Sequence, residues 1–192
     1  MTAICLIRHG ETDWNKVGKI QGKTDIPLNE TGKIQAYQSA VMLQESEWDI
    51  LITSPLMRAK ETAEILNERL QLPMIEMDAF KERDFGDAEG MMPKERSALF
   101  SNRVYPNMET RDALIARIEQ GLTYIIQTYP HKKVLLVAHG GVINTILSVL
   151  SKGEIGSGKT KLANACMSNI YYQENIWHVK DFNQTFHLAS GQ

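Results

Sequence analysis

The chain has 192 residues and a formal net charge of -2, with charges of both signs dispersed along it; this excludes the basic stripe of a nucleic-acid track or an anionic-membrane surface. No run approaches the roughly 18 apolar residues of a membrane span and no signal-length apolar core follows a basic N-terminus, so the expectation is a soluble, cytoplasmic protein with no nucleic-acid or membrane partner. The length and the lack of a linker-like stretch predict one domain over residues 1–192, and the two cysteines, Cys5 and Cys166, predict buried reduced thiols and no metal site, having neither the number of a disulfide framework nor metal-ligand spacing.

The first element is the apolar run Ile4-Cys5-Leu6-Ile7, which stops at Arg8, His9 and Gly10. It reads as a buried strand carrying its last side chains to the edge of a sheet, where α/β folds place their ligands. Arg there offers a fixed fork of donors for phosphate or carboxylate, and His can serve as nucleophile, base or acid near neutral pH. Asp13 to Pro27, punctuated by Gly18, Gly22 and Pro27, reads as a surface loop leaving that edge. Its Asn15 and Gln21 are residue types that commonly bond their own turns. The helical spacing of Ile34, Tyr37 and Val41 predicts a helix over Lys33 to Leu43, capped by Asn29 or Thr31. Trp48 to Ile52 is a second buried strand, ended by Thr53-Ser54-Pro55. Pro55 suits the first turn of a helix, and Leu56 to Leu70 continues it with Ala59, Ala63, Leu66 and Leu70 on the apolar face. Arg58 falls in its first turn, where the dipole disfavours a cation but exposed N–H groups favour an anion.

Leu72 to Met77 is a third short strand, and Phe80 to Gly90, with four acidic residues, has loop composition. Met91 to Met108 lacks a clean period and reads as short helix and loop that could serve as a lid. Thr110 caps a strong helix to Tyr129, with Leu114, Ile118, Leu122, Ile125 and Ile126 inward and Pro130 as its stop. Lys133 to Ala138 is the clearest central strand; it ends in His139-Gly140-Gly141, ahead of a helix over Val142 to Leu150. This repeats the strand, His, Gly order of Ile4 to Gly10, so two strand ends can bring two histidines to one edge. Met167 to Tyr172 and Ile176 to Phe182 alternate and suit a hairpin or antiparallel edge strands. His131, His178 and His187 read as surface or packing residues.

Gly153 to Thr160 fits the phosphate-loop pattern G-x-x-x-x-G-K-[ST] at every fixed position. Such a loop must follow a strand and open a helix, whereas this one follows a helix and precedes too little chain for a nucleotide-hydrolysing sheet. A Gly-rich surface loop is the expectation.

Arg8, His9, Arg58, Glu82 and His139 form a set with a natural division of labour. Phosphoryl transfer needs an in-line nucleophile, positive donors around the equatorial oxygens and a proton for the leaving oxygen. His9 can be the nucleophile, Arg8, Arg58 and His139 the donors, and Glu82 the acid.

The ordered motifs Leu6-Ile7-Arg8-His9-Gly10-Glu11-Thr12 with Trp14-Asn15, Gln21-Gly22, Leu28-Asn29-Glu30-Thr31-Gly32, Thr53-Ser54-Pro55-Leu56-Met57-Arg58-Ala59 with Thr62-Ala63, Glu82 with Phe85-Gly86, Ala138-His139-Gly140-Gly141, and Asn183 with His187 cover nearly the whole chain. Together they resemble the histidine phosphatase superfamily, in its branch of cofactor-dependent phosphoglycerate mutases and phosphatases. The resemblance implies a three-layer α/β/α sandwich with a mostly parallel central sheet and an antiparallel edge strand. It also implies a phosphorylated His9, a phosphate pocket of Arg8, Arg58 and His139 lined by Asn15, Gln21, Gly22 and the N–H of Gly140, and Glu82 as proton donor. No metal or cofactor is implied, and the partner is a small phosphorylated metabolite. Gly86 to Pro93 is closer to the phosphatase pattern than to the mutase stretch that ends in Asn-Lys. A mutase and an inactive phosphate-binding module stay as alternatives. Two departures concern the substrate pocket: Ala88, where phosphatase members commonly carry Trp, and Pro106 to Thr110, where they often carry Gly-Glu-Ser.

Overall fold

The computed structural model describes residues 1–44 and 46–188. Six strands form one sheet in the order β3-β2-β4-β1-β5-β6, with β1 Thr2–Arg8, β2 Ile50–Thr53, β3 Met74–Glu76, β4 Lys133–Ala138, β5 Met167–Gln173 and β6 Ile176–Gln184. The pairs β1–β4, β2–β4 and β2–β3 are parallel, and β5 joins β1 antiparallel, with β6 antiparallel beyond it. The sheet is therefore the mostly parallel one expected; β5 alone runs against the others, and β6 at the edge pairs antiparallel with it.

Alternation along the strands divides the core into two faces. Ile4, Leu6, Ile50, Ile52, Val134 and Leu136 pack with Leu114, Ile118 and Ile125 of α5 (Arg111–Thr128) and with Ile143, Ile146 and Leu147 of α6 (Gly140–Leu150). Cys5, Ile7, Leu51, Leu135 and Val137 face Ala40 and Leu43 of α2 (Glu30–Leu43) and Ala59, Ala63 and Leu66 of α3 (Met57–Leu70). Strands apolar on both faces are what a sheet covered by helices on both sides requires. Cys5 and Cys166 are buried free thiols; burial pushes both upward, Cys166 to about 11.

Two expectations are corrected, and the reading of α2 gains its cap and its inner face. Asp13–Val17, read as loop, is a short helix α1, because Thr12 and Asn15 form a reciprocal cap at its start. Pro55 lies ahead of α3, whose N-cap is Leu56. Of the two proposed caps for α2, Asn29 does the work, accepting from the Gly32 N–H at 2.9 Å. The stripe Ile34, Tyr37 and Val41 faces outward at 59%, 50% and 44% exposure. Gly32, Ala36, Ser39, Ala40 and Leu43 are the buried positions of α2, since a helix packed closely on its neighbour buries small residues, which carry little hydrophobic weight in a periodicity.

Register then sets the site. Arg8 lies opposite Ala138 in the β1–β4 pair, so His9 and His139 leave the sheet side by side. Ser54, just past β2, joins them by donating its N–H to Val137. The phosphate-loop lookalike follows α6 and closes on itself: Lys159 Nζ donates to the Gly153 carbonyl at 2.6 Å and the Gly156 N–H to Thr160 Oγ1 at 3.0 Å. No helix of the described residues is long and apolar enough to cross a membrane.

Candidate active site

His9 is held by its backbone. Its N–H donates to Ala138 at 3.0 Å, and its carbonyl accepts from the Ala165 N–H and from Asn164 Nδ2, both at 3.2 Å. The ring is 2% exposed and its Nδ1 lies 2.7 Å from the Gly10 carbonyl. A carbonyl can only accept, so Nδ1 carries the proton and the lone pair is on Nε2. Burial and then the Arg58 and Arg8 cations hold His9 well below the usual histidine range, against the opposite pull of the Gly10 hydrogen bond. The ring is thus neutral at pH 7.

The His139 ring centroid stands 5.3 Å from that of His9. His139 is the N-cap residue of α6, with Nε2 2.8 Å from Ser54 Oγ. Ser54 Oγ accepts from the Leu56 N–H; when it gives its own proton to Nε2, the His139 proton stands on Nδ1. Nδ1 is buried with no hydrogen-bond partner among the described residues. Burial, Arg58, His9 and Arg8 also depress this histidine far below its ordinary value.

Two guanidinium groups flank the histidines. Arg58, 1% exposed, donates Nη2 to the Gly22 carbonyl at 2.7 Å and Nη1 to the Thr24 carbonyl at 3.0 Å. Arg8 donates Nη1 to the Leu162 carbonyl at 2.5 Å and passes over Gly140, where a Cβ would meet Arg8 Nε at 3.4 Å. Nε of each is buried without a partner among the described residues. Burial lowers both pKa values, yet an arginine stays charged. A buried Arg58 and a half-buried Arg8, both outside any ion pair of the described residues, are a costly arrangement that an anion relieves.

The loop after β1 completes one side. The Gly10 N–H donates to Thr62 Oγ1 at 3.0 Å. Gly10 and Gly32 meet back to back, since a Cβ on Gly10 would lie 2.4 Å from the Gly32 carbonyl oxygen. Thr12 Oγ1 donates to Gln21 Oε1 at 2.9 Å, and Asn15 Oδ1 accepts from Asn164 Nδ2 at 3.1 Å. The side-chain oxygens of Asn15 and Gln21 are therefore used by the scaffold, leaving their amide NH2 groups as donors for a ligand. Gly22 has φ +55 and sits against Glu89, whose carboxylate receives the N–H groups of Lys23, Thr24 and Phe85 at 2.8, 2.9 and 3.1 Å. Glu82, 9% exposed, faces this group from the far loop. Its Oε2 accepts from the Gly141 N–H at 2.9 Å and its Oε1 from the Arg83 N–H at 2.8 Å. A Cβ on Gly141 would come within 2.5 Å of Oε1, so only glycine lets the carboxylate rest on the start of α6.

The profile of the Histidine phosphatase superfamily (branch 1) matches residues 4–185. The chain belongs to this superfamily. A histidine phosphatase relative, the uncharacterized phosphatase PhoE of Bacillus subtilis (strain 168), is 54% identical over 189 residues, which is 98% of each chain. The metal-independent phosphoserine phosphatase of Arabidopsis thaliana is 32% identical over 204 residues, covering 99% of this chain and 84% of its own. The solved phosphoserine phosphatase of Entamoeba histolytica in complex with 3-phosphoglyceric acid has a TM-score of 0.86 at 30% identity, over 98% of this chain and 100% of that one. The superfamily and the mostly parallel α/β fold expected from the motifs are thus confirmed.

The histidine phosphatase chain brings Arg8, His9, Arg58, Glu82, His139 and Gly140 to one end of the sheet, with Asn15 on α1 and Gln21 and Gly22 on the loop that Arg58 holds. Sequence reasoning missed the residues that hold them: Ser54 on His139, Thr62 on Gly10, Glu89 on the loop, and Asn164, which bonds His9, Gly10 and Asn15 together. Ser54 and Thr62 lie inside the matched motifs, a signal that was available. Nothing around Asn164 marks it.

Proposed function

We propose that the chain hydrolyses small phosphomonoesters through a covalent phosphohistidine on His9. The observation that carries this is the state of His9: a neutral ring, its Nδ1 proton committed to the Gly10 carbonyl, with Nε2 bearing the lone pair beside the Arg8 and Arg58 cations. In the first step Nε2 attacks phosphorus, the bond to the ester oxygen breaks, and the carboxyl proton of Glu82 goes to the leaving oxygen. In the second, Glu82 takes a proton from water, the water oxygen attacks phosphorus, and the P–N bond breaks to restore His9. Arg8, Arg58, the His139 Nδ1–H and the Gly140 N–H hold the equatorial oxygens, with the Asn15 and Gln21 amides and Gly22 around them. Donors fixed before the reaction stabilise the charge that develops in it, and the acid step contributes about 10²–10⁴-fold.

The relatives named as phosphatases support this reading, and the one named for phosphoserine supports phosphorylated small metabolites as candidate substrates. In an assay with a generic aryl phosphate, the wild-type protein is expected to turn over and to be indifferent to EDTA, because the arginines supply the neutralising charge. His9→Ala is expected to lose all but background activity. A His9→Ala protein that keeps full turnover, or a wild type inhibited by the chelator, contradicts the mechanism.

A further inference from the structure

On this phosphatase reading, the leaving group must extend from Glu82, and a cleft of about 460 Å³ begins there, at Gly141. Three arginines line it: Arg83 from the loop after Glu82, Arg96 from α4 (Pro93–Leu99), and Arg103 from the turn beyond α4. None of the three is in an ion pair among the described residues, and no described carboxylate lines the cleft. Arg83 is fixed by donating Nε and Nη2 to the Glu109 carbonyl at 3.0 and 2.8 Å. Nη1 of Arg96 is buried with no hydrogen-bond partner among the described residues. The aromatic rings beside these cations are packed together, with Tyr105 5.4 Å from Phe100 and 6.4 Å from Phe85. Low-dielectric walls of that kind strengthen the field of the half-buried Arg83 and Arg96, while Arg103 is exposed.

A second cluster of cations next to a phosphate pocket that already holds two is unfavourable unless the ligand brings more negative charge. A neutral alcohol leaving group would desolvate the arginines and return nothing. We propose that this cleft binds a second anionic group of the substrate, so that the preferred substrates are phosphomonoesters carrying a carboxylate or a further phosphate a few bonds from the ester oxygen, with Arg96 and Arg103 as specificity-determining residues. A guanidinium fork pairs with either anion through parallel hydrogen bonds.

The test compares kcat/KM within two pairs of esters: 3-phosphoglycerate against glycerol 3-phosphate, and fructose 1,6-bisphosphate against fructose 6-phosphate, with an aryl phosphate as control. The expected wild-type preference is about tenfold or more for the doubly anionic partner of at least one pair, which also tells carboxylate from phosphate. It falls by about tenfold in Arg96→Gln and further when Arg103→Gln is added. Each ratio is taken on one preparation, so a loss of folded protein cancels. Aryl phosphate turnover with flat wild-type ratios, or ratios unaltered by both substitutions, overturns the second-anion site alone. A protein that hydrolyses none of the five esters overturns the phosphatase reading and this site with it.

Discussion

At the residue scale, His9 and His139 are buried as neutral rings beside Arg8 and Arg58, and this ties stability to acid. Both have folded pKa values far below the ordinary 6.5, from burial first and the arginines second. As pH falls through the unfolded value, the unfolded chain takes up protons that the folded one refuses, so stability is lost below about pH 6.5 and continues to fall until the folded values are reached. Between pH 7 and pH 5 each ring contributes a loss of up to about 2 kcal/mol. Denaturant titrations at a series of pH values should show this fall, with a shallower slope in His139→Asn; equal slopes in wild type and variant would exclude the buried neutral ring. The two histidines were legible in the sequence because each ends an apolar strand at a glycine. Asn164 was not legible, because its importance comes from a loop that folds back over the end of β1 to reach His9, Gly10 and Asn15, a contact that no local pattern encodes.

At the scale of elements, the start of α6 is built to receive a carboxylate. Gly141 costs the helix roughly 0.5–1 kcal/mol relative to alanine, and what it gains is room for Glu82, whose Oε1 would lie 2.5 Å from an added Cβ. Gly141→Ala is therefore expected to fold at least as well as the wild type and to lose activity by about tenfold or more, toward the 10²–10⁴-fold limit of the acid step. Thermal melts with kcat measurements on the same samples decide it; an unchanged kcat would remove the geometric role given to glycine. Elements rich in large apolar residues, such as β4 and α5, were readable from their period. The inner face of α2 was not, because Gly32, Ala36, Ser39 and Ala40 fit against neighbouring backbone by being small. Nor was α1, which exists through the Thr12 and Asn15 cap and buries no residue. The stretch between Glu82 and Thr110 read as loop and short helix near the phosphatase pattern, which fits α4, but nothing in it marked the cleft. Ala88 is fully buried, and the wall of the cleft is built by Phe85, Phe100, Tyr105 and three arginines in its place.

Over the whole molecule, the sheet order explains why residues more than a hundred positions apart share one site. Placing β4 between β1 and β2 puts the three C-terminal strand ends together, with helices packed on both faces of those strands. The charge set there is cationic within a chain whose net charge is -2, so the attraction is local to the pocket and aimed at an anion of substrate size. His9 Nε2 is the atom proposed to receive the phosphoryl group. Rapid quenching of the protein with a 32P-labelled substrate, followed by mapping of the labelled peptide, measures this directly. The expected result is acid-labile, base-stable phosphate on the peptide containing His9, absent from His9→Ala; turnover of the labelled ester without any such intermediate, or label on another residue, would contradict it.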